Sequence, residues 1–262
     1  MLPLGRRPVL HHVVSELATA GVIEFQMITS ERTSAIERYF AEDTELDPVL
    51  SRAGLPAGWT AGDQSLSKLT FQYVRQERPL GISDAVHQAR SFVHDAPFFL
   101  HMGDSVITGD PELLDRMSDV HQRNSAVCTI AIQRTSIERI KSHATIIPLG
   151  DPSSEAFEIE EIIEKPYVHE IAVPACVVGR YLISAPMLEV AQSSEPRHSP
   201  FGSLGAIFSE REKLTGPVMA VWCKPGARLH DVGTLDDYLC AQAFFALHDE
   251  RIGQQMRDLL AE

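Results

Sequence analysis

Asp104 follows an apolar run, Pro97 to Met102, and a glycine, Gly103, that leaves the backbone open. A carboxylate at that place can hold a divalent cation against phosphate oxygens. Upstream, Gln76 offers an amide with both donor and acceptor, which suits the edge of a base. Pro79 and Gly81 follow it, and Gly81 has no Cβ to keep a ligand off the backbone. This combination is the raw material of a nucleotide-handling site.

The elements around these residues set their positions. Phe71, Tyr73 and Val74 predict a short strand that Pro79 and Gly81 end, and Ile82 to Ser91 carries Ile82, Ala85, Val86 and Ala89 at helical spacing. Pro97 to Met102 reads as a buried parallel strand. Ligands of open α/β sheets sit beyond the carboxyl ends of such strands, where Gly103, Asp104 and Ser105 fall. Taken singly, a Pro-Leu-Gly turn before a helix and a Gly-Asp pair after a strand are ordinary punctuation; their order within one βαβ unit gives them weight.

Alternation continues along the chain. Val9 to Thr19 predicts an amphipathic helix, Val22 to Ile28 a strand, and Ser30 an N-cap for a helix over Glu31 to Phe40. Pro111 to Gln122 predicts a helix and Ala126 to Ile132 a buried strand. Further strands are expected near Thr145 to Pro148, Phe157 to Ile163, Ala172 to Leu182 and Val218 to Cys223, with helices over Pro186 to Gln192 and Leu204 to Lys213. Leu235 to Leu260 reads as helical with a break at Gly253, and Leu46 to Gln64, rich in glycine and proline, as a surface insertion or flap. The alternation argues for an α/β fold with a doubly wound sheet.

The 262 residues, 44% hydrophobic, are enough for one large α/β domain, and no linker is visible. A net charge of −13 without any Lys/Arg-rich run argues against nucleic acid or anionic membrane as a partner. The four cysteines, Cys128, Cys176, Cys223 and Cys240, lack zinc spacing, so free thiols in a reducing cytoplasm are expected. No secretory signal and no transmembrane helix is read from the sequence. His11-His12 reads as helix surface and partial core, because adjacent helical side chains diverge. Arg6 and Arg7 read as surface arginines, and the run Glu158, Glu160, Glu161 as a solvated strand face.

Six stretches in order, MLPLGRRPVLHHVVSELATAGV, VRQERPLGISDAV, FLHMGDSVI, IIEKP, VVGRYLIS and HDVGTLDDYLCAQAFFAL, resemble the bacterial UTP-glucose-1-phosphate uridylyltransferase (UDP-glucose pyrophosphorylase) family of sugar nucleotidyltransferases. The resemblance spans nearly the whole chain. It implies an α/β, Rossmann-like nucleotidyltransferase fold with a mixed, mostly parallel central sheet flanked by helices, and the reaction UTP + glucose 1-phosphate to UDP-glucose + pyrophosphate, with Mg²⁺ as cofactor and a homo-oligomeric assembly. It assigns uracil recognition to Gln76, places Gly81 beside the base and makes Asp104 a metal ligand with Asp231 as its partner. Glu164 would bind sugar hydroxyls, Lys165 the sugar phosphate, and the Gly179 backbone would lie near the sugar. A carboxylate accepting from vicinal hydroxyls and an ammonium against a phosphate are chemically apt for those tasks.

The departures are specific. Family members begin with a strand and a loop close to L-x-A-G-x-G-T-R, whereas this sequence starts at Met-Leu-Pro. The expectation is therefore a single nucleotidyltransferase domain over 1–262 without the first strand and Gly-rich loop, ending in a helical segment at 235–262. Arg7 stands where the family has lysine, Ser83-Asp84 replaces Gly-His, and SPFGSLGAI over Ser199 to Ile207 replaces a segment near Gly-Glu-Ile-Gln-Leu-Thr-Asp-Ala-Ile. Three readings stay open: a uridylyltransferase with its start further upstream, an enzyme for another sugar phosphate, and a catalytically inactive paralogue that binds a sugar nucleotide.

Overall fold

Val9, Val13, Val14 and Leu17 recur at helical spacing, and all four are buried along one face of α1 (Val9–Thr19). A short hairpin of β1 (Pro3–Leu4) and β2 (Arg7–Pro8) leads into that helix. The computed structural model of the chain describes residues 1–29, 34–41, 52, 64–77, 82–93, 95–185, 187 and 214–261. Ser30, the stretch 46–63 (Arg52 apart), Pro79, Gly81, Ser199 to Ile207 and the helices expected over 186–192 and 204–213, Met187 apart, lie outside the described residues.

Beyond α1, β3 (Glu24–Thr29) pairs in parallel with β4 (Thr70–Arg75). Phe25 of β3 stacks on Phe71 of β4 at 5.3 Å, and Phe40 from α2 (Ser34–Phe40) stacks on the same ring at 4.8 Å. Two short helices follow, α3 (Ile82–Gln88) and α4 (Arg90–Val93), which bury Val86 and Val93.

The main sheet contains β5 (Phe98–His101), β7 (Cys128–Arg134), β8 (Ala144–Pro148), β9 (Ala156–Glu164), β10 (Ala175–Ile183) and β11 (Val218–Trp222), in the order β5-β10-β7-β11-β9-β8. Every residue of β10 and β11 is buried, which marks them as central strands. A separate antiparallel pair joins β6 (Ser105–Thr108) to β12 (Arg228–Asp231). The helices α5 (Leu113–Arg123) and α6 (Ile137–Ile140) connect strands, and the chain ends in α7 (Leu235–Leu247) and α8 (Gly253–Ala261). The C-terminal helices reach back to the start: Tyr238 Oη and Gln242 Nε2 both donate to the Pro3 carbonyl, and Arg6 pairs with Asp249.

The sheet is mixed, as expected, but it is not mostly parallel. Among the described ladders only β3–β4 and β7–β11 are parallel. β8 and β9 are joined by a short turn that forces antiparallel pairing, and β10 runs against both its neighbours. The buried parallel strand expected over Pro97 to Met102 is instead Phe98 to His101, which pairs antiparallel with β10 and is only half-buried, because β10 is its one strand partner among the described residues.

One strand-edge arrangement stands out. β3 pairs only with β4 and β5 only with β10 among the described residues, and the two remaining edges face a cavity of about 1010 Å³. Val13 and Leu17 of α1 line it on the Phe99 side of the sheet, and Val86 and Val93 line it on the Phe98 and Leu100 side. The Oε1 of Gln26 on β3 and both ring nitrogens of His101 on β5 are buried there without a hydrogen-bond partner among the described residues. Paired strand edges and satisfied polar groups are the rule in folded proteins, and among the described residues this slot departs from both. No helix among the described residues is long and apolar enough to cross a membrane.

Candidate active site

β5 ends at His101, and Met102, Gly103 and Asp104 turn the chain into β6. The Asp104 carbonyl accepts the Val232 N–H at 3.0 Å, while Asp231 is the register partner of Ser105. Both carboxylates therefore lie at one end of the β6–β12 ladder. Burial, reinforced by the charge of Asp231, pushes the Asp104 carboxyl above its ordinary range, with Arg180 opposing. Two close carboxylates that repel one another are a natural seat for a cation.

Asp231 is held differently. Its Oδ1 accepts the Gly233 N–H at 2.6 Å, and its Oδ2 lies 3.3 Å from His143 Nε2. His143 and the Gly233 N–H keep this carboxyl below the ordinary range, against the opposing effect of burial. The other ring nitrogen, Nδ1, sits 2.9 Å from the Arg139 carbonyl, which can only accept, so Nδ1 carries a proton. The neighbouring Asp231 carboxylate raises the His143 pKa above its ordinary value, ahead of the opposing burial.

His143 also reaches the Glu164-Lys165 pair, since its backbone carbonyl accepts the Lys165 N–H at 2.9 Å. Glu164 is the last residue of β9, opposite Ala144, and Lys165 just beyond it takes a left-handed φ of 47°. A non-glycine residue in that region is uncommon and concentrates at sites where the surroundings dictate the backbone. Both side chains are exposed.

Gly179 has a structural reason of its own. Its φ is +72°, the β10–β7 register shifts between Val177 and Tyr181, and a Cβ added there would stand 2.7 Å from Met102 Cγ. The Gly179 carbonyl accepts the Met102 N–H at 3.0 Å, which seats the start of the Asp104 turn. The next residue, Arg180, is fully buried and bonds Glu16 of α1 and Ser105 of β6.

Gln76 follows β4, and its Nε2 donates to Asp84 Oδ2 of α3 at 2.5 Å. Gln76, Gly103 and Asp104 all line the cavity between β3 and β5. The structure thus gathers Asp104, Asp231, Gly103, Gly179 and the Glu164-Lys165 turn around one end of the sheet, with Gln76 on the wall of the adjoining cavity. Gly81 is not among the described residues. Sequence reasoning missed His143, Arg180 and Glu16. Arg180 carried a signal, an arginine inside an apolar strand next to a glycine, whereas His143 and Glu16 have no spacing that marks them.

Residues 1–247 match the pattern of the nucleotidyl transferase family. The chain belongs to that family. A UTP-glucose-1-phosphate uridylyltransferase from Streptococcus pneumoniae serotype 4 is 25% identical over 266 residues, 100% of this chain and 87% of the relative. A second, from Streptococcus pyogenes, is 25% identical over 201 residues, covering 75% of this chain and 65% of that protein. In structure, this nucleotidyl transferase resembles a UTP-bound UGPase from Acinetobacter baumannii, with a TM-score of 0.85 and 24% identity over 100% of this chain and 90% of the other. At that identity the structural likeness speaks for the fold.

Proposed function

We propose that this nucleotidyl transferase is a sugar-1-phosphate uridylyltransferase that converts UTP and glucose 1-phosphate to UDP-glucose and pyrophosphate. The observation that carries this reading is the meeting of Asp104, Asp231 and the Lys165 turn at one sheet end, joined through His143. The names of the relatives and the UTP in a solved one support the choice of substrates.

In the reaction a phosphate oxygen of the sugar phosphate attacks the α-phosphorus of UTP, and the bond to the pyrophosphate oxygen breaks with its electrons leaving on pyrophosphate. Positioning and charge stabilisation carry such a transfer. Asp104 and Asp231 fit Mg²⁺: two carboxylates suffice when phosphates and water fill the remaining positions, and no group of three or more His, Cys, Asp or Glu able to hold a metal occurs among the described residues. When bound, Mg²⁺ offsets charge on the phosphate oxygens. Lys165 holds the sugar phosphate, Glu164 accepts from sugar hydroxyls, the Gly179 backbone lies behind the sugar, and Gln76 and Gly81 address the base beside Gly103.

The protein works in the cytoplasm, in keeping with its free cysteines, and as a homo-oligomer. Residues 1–262 are read as one nucleotidyltransferase domain that ends in the helical segment 235–262, and the slot between β3 and β5 suits the first strand that the family carries ahead of Met-Leu-Pro. The test is pyrophosphate release from UTP and glucose 1-phosphate with Mg²⁺, for the chain as given and for a version extended upstream through a Gly-rich loop. Activity in the extended form that Asp104→Asn abolishes supports the reading. The SPFGSLGAI segment favours a second reading, another sugar phosphate as acceptor, and turnover with UTP and a different sugar 1-phosphate but not with glucose 1-phosphate decides for it.

A further inference from the structure

The most heavily bonded side chain behind the two carboxylates is Arg180, which no water reaches. Its Nε lies 3.1 Å from each Glu16 carboxylate oxygen, and its Nη2 donates to Glu16 Oε2 at 2.7 Å. The far side of the guanidinium turns mainly to Ser105: Nη1 donates to Ser105 Oγ at 2.9 Å and to the Val178 carbonyl at 3.5 Å, and Nη2 donates to the Ser105 carbonyl at 3.0 Å. Ser105 is covalently next to Asp104 and is the register partner of Asp231, so fixing it fixes the spacing of both carboxylates.

The residue type matters here. A guanidinium presents rigid forked donors that can serve a carboxylate on one edge and a carbonyl and hydroxyl on the other; an ammonium offers one point. A lone buried cation would be costly, and Glu16 neutralises it, leaving a site that is held without being swamped by positive charge. The bulge at Gly179 is what turns Arg180 into this position, because the register shift falls between Val177 and Tyr181.

We propose that Arg180, anchored by Glu16, is a positioning residue that sets Asp104 and Asp231 at cation-binding separation through its grip on Ser105. This rests on the reading of Asp104 and Asp231 as the metal carboxylates. The device predicts that metal affinity, and not merely stability, depends on a pair that never touches the metal.

The experiment is Mn²⁺ titration followed by electron paramagnetic resonance, with UTP present and sugar phosphate absent, alongside thermal denaturation. The proteins are wild type, Arg180→Lys, the neutral double variant Glu16→Gln/Arg180→Met, Ser105→Ala and Asp104→Asn. About tenfold weaker Mn²⁺ binding is expected in the two Arg180 variants and about threefold in Ser105→Ala, the scale on which groups behind metal ligands act. If the Arg180 variants fail to fold, Ser105→Ala decides, because it leaves the Arg180–Glu16 pair intact. Binding to wild type that Asp104→Asn abolishes, combined with unchanged affinity in the folded Arg180 or Ser105 variants, overturns the inference and leaves the carboxylate site standing. Binding that Asp104→Asn leaves unchanged, or none to wild type, overturns both.

Discussion

Replacing Gly179 with alanine should be far more damaging than an ordinary glycine substitution, and the reason can be worked out atom by atom. The backbone φ of +72° costs an L-residue about 1–2 kcal/mol. The new Cβ would also stand 2.7 Å from Met102 Cγ, 3.0 Å from Met102 Cβ and 3.3 Å from Ser105 Oγ. The Met102 tip can swing aside, but its Cβ cannot, because the Met102 N–H is tied to the Gly179 carbonyl at 3.0 Å. Overpacking of this kind adds about 1–3 kcal/mol. A total near 3 kcal/mol is a large part of a typical folding stability of about 5–15 kcal/mol and corresponds to roughly 6–12 °C in Tm.

Gly21→Ala supplies the control, since Gly21 has a φ of +86° with nothing within 4 Å of the added Cβ. It should lose only the backbone contribution of about 1–2 kcal/mol. Urea denaturation of both variants measures the difference directly. Adding Met102→Ala should recover part of the Gly179→Ala loss, about 1 kcal/mol of coupling, because it removes the Cγ and leaves the Cβ. Gly179→Ala no worse than Gly21→Ala would refute the steric reasoning. Since Met102 leads into Gly103 and Asp104, turnover should fall alongside stability.

Asp104→Asn should abolish turnover yet raise Tm, because a buried carboxyl pushed above its ordinary range beside Asp231 destabilises the folded state at neutral pH; a fall in Tm would contradict that. Asp110 has the opposite sign: burial would raise its pKa, but the bidentate Arg116 bonds and the Lys224 N–H outweigh it and lower the folded value. Its contribution is full above the unfolded pKa of about 3.9 and is lost as pH falls through the lower folded value, so acid denaturation of Asp110→Asn should show a flatter limb. At pH 7 that variant should be less stable by about 3 kcal/mol, as expected on breaking a buried ion pair, measurable in urea. Asp84→Ala removes one hydrogen-bond partner of the Gln76 amide and should raise the KM for UTP about tenfold with kcat little changed, in steady-state kinetics.

The parts of this fold legible in the sequence are those with local signals. The helix at Val9–Thr19 appears where its apolar spacing puts it, and the break in the C-terminal helices falls next to Gly253. Strand existence was also legible, but strand direction was not: the apolar runs of β5 and β10 carry no mark of whether a neighbour runs parallel or against them, since pairing depends on residues far away in the chain. The two-residue hairpin and the β6–β12 pair escaped notice because strands of two to four residues show no periodicity to count.

The candidate site divides along the same line. Asp104 and Gly103 could be found because a strand and a turn point at them, and Asp231 because an ordered set of motifs does. What holds these carboxylates could not be found that way, since Glu16, Ser105, His143 and Arg180 meet only after α1, β6, β10 and the turn before β8 have packed. This has a consequence for variation within such a site. A reader of motifs would treat Glu16 as one more charge on an amphipathic helix, yet Glu16→Ala strands a buried guanidinium and should cost several kcal/mol, of the order seen when one partner of a buried pair is removed. Glu16 and Arg180 should therefore change together or not at all, and the double variant Glu16→Gln/Arg180→Met should be more stable in urea than Glu16→Ala alone. The reverse order would mean that the pair is solvated in solution and that the carboxylates are spaced by the β6–β12 ladder without it.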